Sequence, residues 1–103
     1  MEQQDKYNFI TISDVNELQN ILNNEDVVIK NNLIVDCNVF QKSEINNQLS
    51  LLEKISLTLA EQEKTFVVVH SSLPTDEWDE FILIPTKHEA KEYIFMEELT
   101  RGF

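Results

Sequence analysis

Apolar and polar positions fall in blocks along this chain, and the central blocks read as strand, helix and strand. Leu33-Ile34-Val35 is a short apolar run that closes on Asp36. A polar turn follows, then an amphipathic stretch from Ser43 to Lys64. Within it Ile45, Leu49, Leu52, Ile55 and Leu59 recur every three or four positions, which predicts a helix with one apolar stripe. Leu51 and Leu57 widen that stripe or sit at its edge, and Glu44, Gln48, Glu61 and Gln62 mark the opposite side. Ser43 stands where an N-cap belongs. Phe66-Val67-Val68-Val69 is apolar at consecutive positions, which suits a strand covered on both faces. A strand, a long helix and a second strand make a βαβ crossover, so the expected class is α/β.

The flanking segments extend the same pattern. Residues 1–6 read as a flexible tail. Tyr7 to Ile12 is a first strand, with bulk from Phe9, Ile10 and Ile12. Ser13 and Asp14 are both good N-caps for a helix over residues 14–24, whose apolar positions are Val15, Leu18, Ile21 and Leu22. Asn23-Asn24-Glu25-Asp26 closes it. Val27-Val28-Ile29 fits either a short edge strand or packing under a loop, and Asn31-Asn32 is a turn signal. After the second βαβ strand, residues 71–75 form a loop, and Thr75 to Glu80 fit one helical turn around Trp78. Phe81 to Ile84 is the last strand, stopped by Pro85. Thr86-Lys87-His88-Glu89 matches a capping box, and the final helix runs to about Thr100 with Ala90, Tyr93, Ile94 and Leu99 inward. The order is βαβαβ(α)βα, one domain over residues 7–103.

Composition narrows the partners. The 103 residues carry 8 basic and 19 acidic side chains, a formal net charge of −11. Phosphate backbones and anionic membrane surfaces repel such a chain, so nucleic acid and membrane are not expected partners. A basic protein surface or a cation fits better, and the charge also serves plain solubility. The single cysteine, Cys37, lies in the apolar strand beside Asp36, whose charge opposes a thiolate, so no nucleophile is expected there. The single glycine, Gly102, leaves no place for a P-loop or a dinucleotide fingerprint. The polar, acidic start is not a signal peptide, and no apolar run approaches a membrane span, so the chain reads as cytoplasmic.

Candidate chemistry gathers where an open parallel sheet places it, beyond the carboxyl ends of the strands. Asp14, Asp36, Ser71 and Thr86 stand at those ends. A serine–histidine–aspartate set drawn from Ser43 or Ser71, His70 or His88, and Asp36 lacks the glycine-flanked nucleophile elbow. The two histidines have no zinc-ligand spacing. Asp14 and Asp36 could converge on a magnesium ion, with Asp36, Ser71 and Lys87 in the roles of a response-regulator receiver, although the receiver's adjacent acidic pair is missing. Trp78, Phe81 and Met96 form a candidate apolar patch for a partner.

The order of elements resembles the STAS domain, the family of sulphate-transporter and anti-sigma-factor-antagonist domains. Two segments carry the likeness: Asn32-Leu33-Ile34-Val35-Asp36, similar to the family's central strand, and Phe81-Ile82-Leu83-Ile84-Pro85-Thr86-Lys87-His88-Glu89-Ala90, similar to its last strand and the helix that follows. The chain is also similar to small acidic bacterial proteins ending in an acidic helix and Gly-Phe, some labelled ribonuclease Z. A histidine-rich metal motif cannot be built from two histidines. The STAS resemblance implies a four- or five-stranded, mixed but mostly parallel sheet with helices packed mainly on one face. It implies a non-enzymatic protein-binding module with no metal and no cofactor. The position of the family's regulatory phosphoserine falls nearest Ser43, but the family's Asp-Ser-Ser-Gly-like turn is replaced by Gln41-Lys42-Ser43-Glu44-Ile45. A plain N-cap in a switch-less variant is the expectation. The alternatives are a receiver-like, magnesium-dependent phosphoacceptor using Asp36 and, last, a small hydrolase.

Overall fold

The computed structural model describes residues 7–23 and 31–101. The readings of residues 1–6 as a tail, of 24–26 as a helix stop and of 27–29 as an edge strand lie outside the described residues. Four strands, β1 (Tyr7–Thr11), β2 (Asn32–Asp36), β3 (Phe66–Val69) and β4 (Ile82–Ile84), form one sheet in the order β1-β2-β3-β4. All three pairings are parallel, with Phe9 opposite Ile34, Val35 opposite Val68 and Val68 opposite Leu83. Four helices lie among the described residues: α1 (Val15–Asn23), α2 (Lys42–Asn47), α3 (Leu49–Glu61) and α4 (Lys87–Thr100). The α/β class and the mostly parallel sheet hold, while the mixed sheet that the resemblance implies is corrected: every pairing among the described strands is parallel.

Strand alternation divides the core in two. Leu33, Val35, Phe66, Val68 and Leu83 point to one face, where they meet Leu18 and Ile21 of α1, Ile45 of α2 and Leu52, Ile55 and Leu59 of α3. Ile34, Val67 and Val69 point to the other, where Ala90 and Ile94 of α4 cover them. Three helices therefore share one face. The strands are added in chain order, always in one direction, so crossovers of one hand fall on one side of the sheet. α4 crosses the open face over β4, β3 and β2.

The expected helix from Ser43 to Lys64 is two helices. Gln48 leaves the helical region at φ −109° and ψ 16°, and its N–H bonds Ile45 O at 3.0 Å, a tightened last turn. Asn46 and Asn47 directly precede it, and adjacent asparagines favour such a stop. Asn46 is also held by a tertiary bond, accepting the indole N–H of Trp78 at 2.8 Å. The N-terminus differs as well. Gln41 is the N-cap, its N–H bonded to the Glu44 carboxylate at 2.8 Å, and Ser43 lies one residue inside the first turn. Ser43 is therefore not the cap: a glutamate three residues after Gln41 sets the start instead.

At its other end α3 closes on Glu63, at φ 60°. Lys64 N bonds Leu59 O at 2.8 Å and Glu63 N bonds Ala60 O at 2.9 Å, a Schellman arrangement that normally takes glycine. The left-handed conformation costs a residue with a Cβ about 1–2 kcal/mol, which exceeds the unfolded-state entropy that glycine adds. Glu63→Gly is expected to stabilise the domain by about 0.5–1 kcal/mol, read as a higher urea midpoint at unchanged slope.

Residues 75–80 form turns and bends with no helix, which corrects the expected helical turn around Trp78. Thr86 caps α4 as the sequence indicates: its Oγ1 accepts Glu89 N–H at 3.1 Å and donates to the Glu89 carboxylate at 3.1 Å. Leu99, expected to face inward, is 46% exposed. The inward positions of the last turn go to Glu98, half-buried, and Arg101, which reach a polar cluster rather than apolar core. None of the helices is long and apolar enough to cross a membrane among the described residues.

Candidate functional site

The carboxyl ends of the strands carry a polar surface stitched from three loops. Asp36 ends β2, and its Oδ1 accepts both the backbone N–H of Asn38 at 2.9 Å and its side-chain amide at 2.8 Å. Asn38 Oδ1 in turn accepts the backbone N–H of Ser71 at 2.8 Å and its hydroxyl at 3.1 Å. Beneath them His70 is buried. Its Nε2 lies 2.6 Å from Phe40 O, and its Nδ1 accepts Ser72 N–H at 3.1 Å. That pairing fixes the neutral tautomer with the proton on Nε2. The β2–α2 loop and the loop after β3 are thus joined by His70 and by Asn38. Asn38 is not among the expected site residues, although an Asp-x-Asn turn after a strand is a recognisable Asx signal.

Asp14 and Thr86, two of the strand-end candidates, act as caps. Asp14 is exposed and accepts Glu17 N–H at 3.0 Å, while the Glu17 carboxylate accepts Ser13 N–H. The amino ends of α1 and α2 are therefore already occupied by the chain's own carboxylates, Asp14 with Glu17 and Glu44. Such ends have little remaining attraction for an external anion. Ser43 is exposed beside Glu44.

The remaining candidates separate. Ser71's hydroxyl meets an amide oxygen, and His70 spends both ring nitrogens on backbone groups. His88 stands exposed on α4, 3.2 Å from Glu92. Lys87, cast beside Asp36 in the receiver-like arrangement, instead holds its ammonium 4.1 Å from the centroid of the Phe9 ring, a cation–π contact. Among the described residues no three His, Cys, Asp or Glu side chains come together as a metal site.

Trp78 and Phe81 are corrected from surface patch to core. Trp78 is 8% exposed, and the two rings stack with centroids 5.8 Å apart. Both pack in the same cluster as α1, α2 and α3, because large aromatics in a loop that spans one face complete the core beneath it. Met96 is exposed, on α4 across the sheet from them.

Cys37 is buried, and its thiol is pushed up to about 12, first by burial and then by the Asp36 charge. A folded-state value above the unfolded one stabilises the native state fully below about pH 9, and that contribution is lost as pH rises towards 12. Between pH 8 and 10.5 the wild type is expected to lose ~2 kcal/mol more unfolding free energy than Cys37→Ala, measured by urea titration at each pH. Tyr93, also raised by burial and by Glu97 against Arg101, is common to both proteins and cancels.

One open cleft of about 340 Å³ lies at this edge, lined by Ser13, Asp14, Val15, Asn16, Val39, Phe40 and Glu44. Val39 is 56% exposed there, and no lysine or arginine is among the lining residues. The cleft thus pairs an exposed valine with carboxylates. The described strand order never reverses, so the crevice that a topological switch point opens between diverging crossovers does not arise. No family model, curated protein or solved structure matches the chain.

Proposed function

We propose that this chain is a non-catalytic, STAS-like interaction module that receives a basic protein surface at the carboxyl edge of its sheet. The observation that carries the reading is the cleft beside α1. It combines an exposed apolar side chain, Val39, with an acidic rim from Asp14 and Glu44, and the whole chain bears a net charge of −11. That combination attracts and orients a cationic partner. Capped helix ends leave little for a phosphate ligand, which also favours a protein partner over a nucleotide. Ser43 is accessible next to the cleft-lining Glu44, so a phosphate there would add to the charge already present rather than create it.

Affinity capture from the native lysate tests the reading. A protein retained by the wild type, released at high salt and lost with Val39→Asp supports it. Retention equal in both, or no specific protein, sinks it. Ser43→Glu reports on gating: loss of the partner would place a switch at Ser43, whereas the switch-less reading expects retention. The receiver-like alternative has Asp36 at the right strand end, but one carboxylate oxygen is engaged by Asn38 and Lys87 lies against Phe9. Magnesium-dependent shifts confined to the Asp14 and Asp36 amides would favour that alternative.

A further inference from the structure

The opposite side of the domain carries a second surface with a different shape. Five large apolar side chains are exposed among the described residues, and three of them lie within one turn or so of α4: Phe95 and Met96, each 58% exposed, and Leu99, 46% exposed. Beside them an open groove of about 470 Å³ runs between β4 and α4, lined by Leu83, Pro85, Tyr93 and Met96 with Glu89 and Glu92. Met96 belongs to both, so groove and apolar stripe are continuous. Neighbouring exposed apolar side chains of this size mark contact surfaces rather than incidental exposure.

The local chemistry selects the occupant. β4 is a sheet edge among the described strands, yet it is a poor template for strand addition. It is three residues long, and Ile84 O is taken by His70 N–H at 3.1 Å. Alternation along a parallel ladder leaves Leu83 as the strand residue whose N–H and C=O point off the edge, and the following Pro85 has no N–H to offer. An occupant must be held by side chains, as a helix in a groove is. The carboxylates lining the groove are Glu89 and Glu92, and neither lysine nor arginine lines it. Lys91 and Phe95, one turn apart, share the flank of α4 that does not line the groove, so Met96 and Leu99 carry the apolar stripe to it. Two copies of this face would oppose Glu89 and Glu92 to themselves and bring two chains of net charge −11 together, so self-pairing is disfavoured.

We propose that the β4–α4 groove, continued over Met96 and Leu99, docks a cationic amphipathic helix of another protein. Its apolar ridge lies on Met96 and Tyr93, and its lysines or arginines face Glu89 and Glu92. This surface is separate from the Val39 cleft and does not depend on it.

The test uses the full chain labelled with nitrogen-15 and two synthetic 14-residue helical peptides, one of leucine and lysine, the other with glutamate for every lysine. The leucine–lysine peptide is expected to shift the amides of residues 82–84 and 89–99 and to saturate. Met96→Asp and Leu99→Asp, both at exposed positions, are expected to weaken it about tenfold each, and Glu92→Lys several-fold. Leu57→Asp, the same change at an exposed leucine of α3, is expected to leave it unchanged. Equal binding of the two peptides, or shifts centred on residues 13–16 and 39–44, would overturn the proposal. So would a dimer of the chain alone, in sedimentation, that protects residues 92–99 and excludes the peptide. Failure of the carboxyl-edge reading is registered separately, by capture that ignores Val39→Asp.

Discussion

Trp78→Ala is expected to remove about 3–5 kcal/mol of folding stability, close to the whole margin of a marginal domain of this size. The indole fills the core under the loop between β3 and β4, stacks on Phe81 at 5.8 Å and donates its N–H to Asn46 at 2.8 Å. Truncation loses the transfer free energy of a large aromatic and leaves a cavity whose walls are strands and helices that cannot collapse into it. Trp78→Phe keeps much of the volume and is expected to cost only about 1–2 kcal/mol, since Asn46 is exposed and rehydrates its freed oxygen. Urea unfolding followed by circular dichroism measures both. If Trp78→Ala unfolded within 1 kcal/mol of the wild type, the indole would belong to the surface and the partner-patch reading would return.

A cost of about 3 kcal/mol is expected for Asn32→Ala, at the opposite end of the sheet. Asn32 is buried at the start of β2. Its Oδ1 accepts Thr65 N–H at 2.7 Å and Arg101 Nη1 at 3.4 Å, and its amide donates to Glu98 at 2.8 Å. Arg101 also donates to Thr65 Oγ1 at 2.7 Å. One side chain thus ties the beginnings of β2 and β3 to the last turn of α4. Deleting it takes the acceptor from a buried backbone N–H, and a buried unsatisfied donor costs more than an ordinary hydrogen bond contributes. Arg101→Met alone is expected to cost about 1–2 kcal/mol, and the double variant less than the sum, because the two act in one network. Native-state hydrogen exchange would show the loss first in the closing turn of α4. A fully additive pair would mean that the bonds are independent and the cluster is not a unit.

Long-period features were legible in the chain, and tertiary ones were not. The stripe from Ile45 to Leu59 announced a helical segment because its apolar spacing matches the helical period. Phe66 to Val69 announced a doubly covered strand because all four side chains are apolar. The capping pair Thr86 and Glu89 is a local hydrogen-bond geometry, so a four-residue window contains it. The break at Gln48 was only half visible: Asn46-Asn47 is a local stop signal, but the apolar stripe continues through it, and the bond that holds Asn46 comes from Trp78, thirty-two residues away along the chain. The burial of Trp78 and Phe81 was hidden for the same reason, since a loop's inward face depends on what it crosses. At the carboxyl edge the residue types were visible and their employment was not. Asp14 and Asp36 read equally well as metal ligands, as caps and as turn formers, and only the positions of Glu17 and Asn38 decide among them. Arg101 lay beyond the expected helix end, and its role appears only when α4 crosses back over β2 and β3.

The lateral succession of strands bears on how the chain is made. Each described strand after the first pairs with the described strand before it, so this sheet can widen one strand at a time as the chain leaves the ribosome. α1, α2 and α3 arrive between strands and shield one side as it grows. The other side, with Ile34, Val67 and Val69, stays bare until α4 has emerged. A nascent chain stalled before residue 87 therefore presents a half-clad apolar sheet, the surface that chaperones bind and that aggregates nucleate on. Release of α4 is the event that ends that hazard, and the bonds of Arg101 at its far end are the latch that closes it.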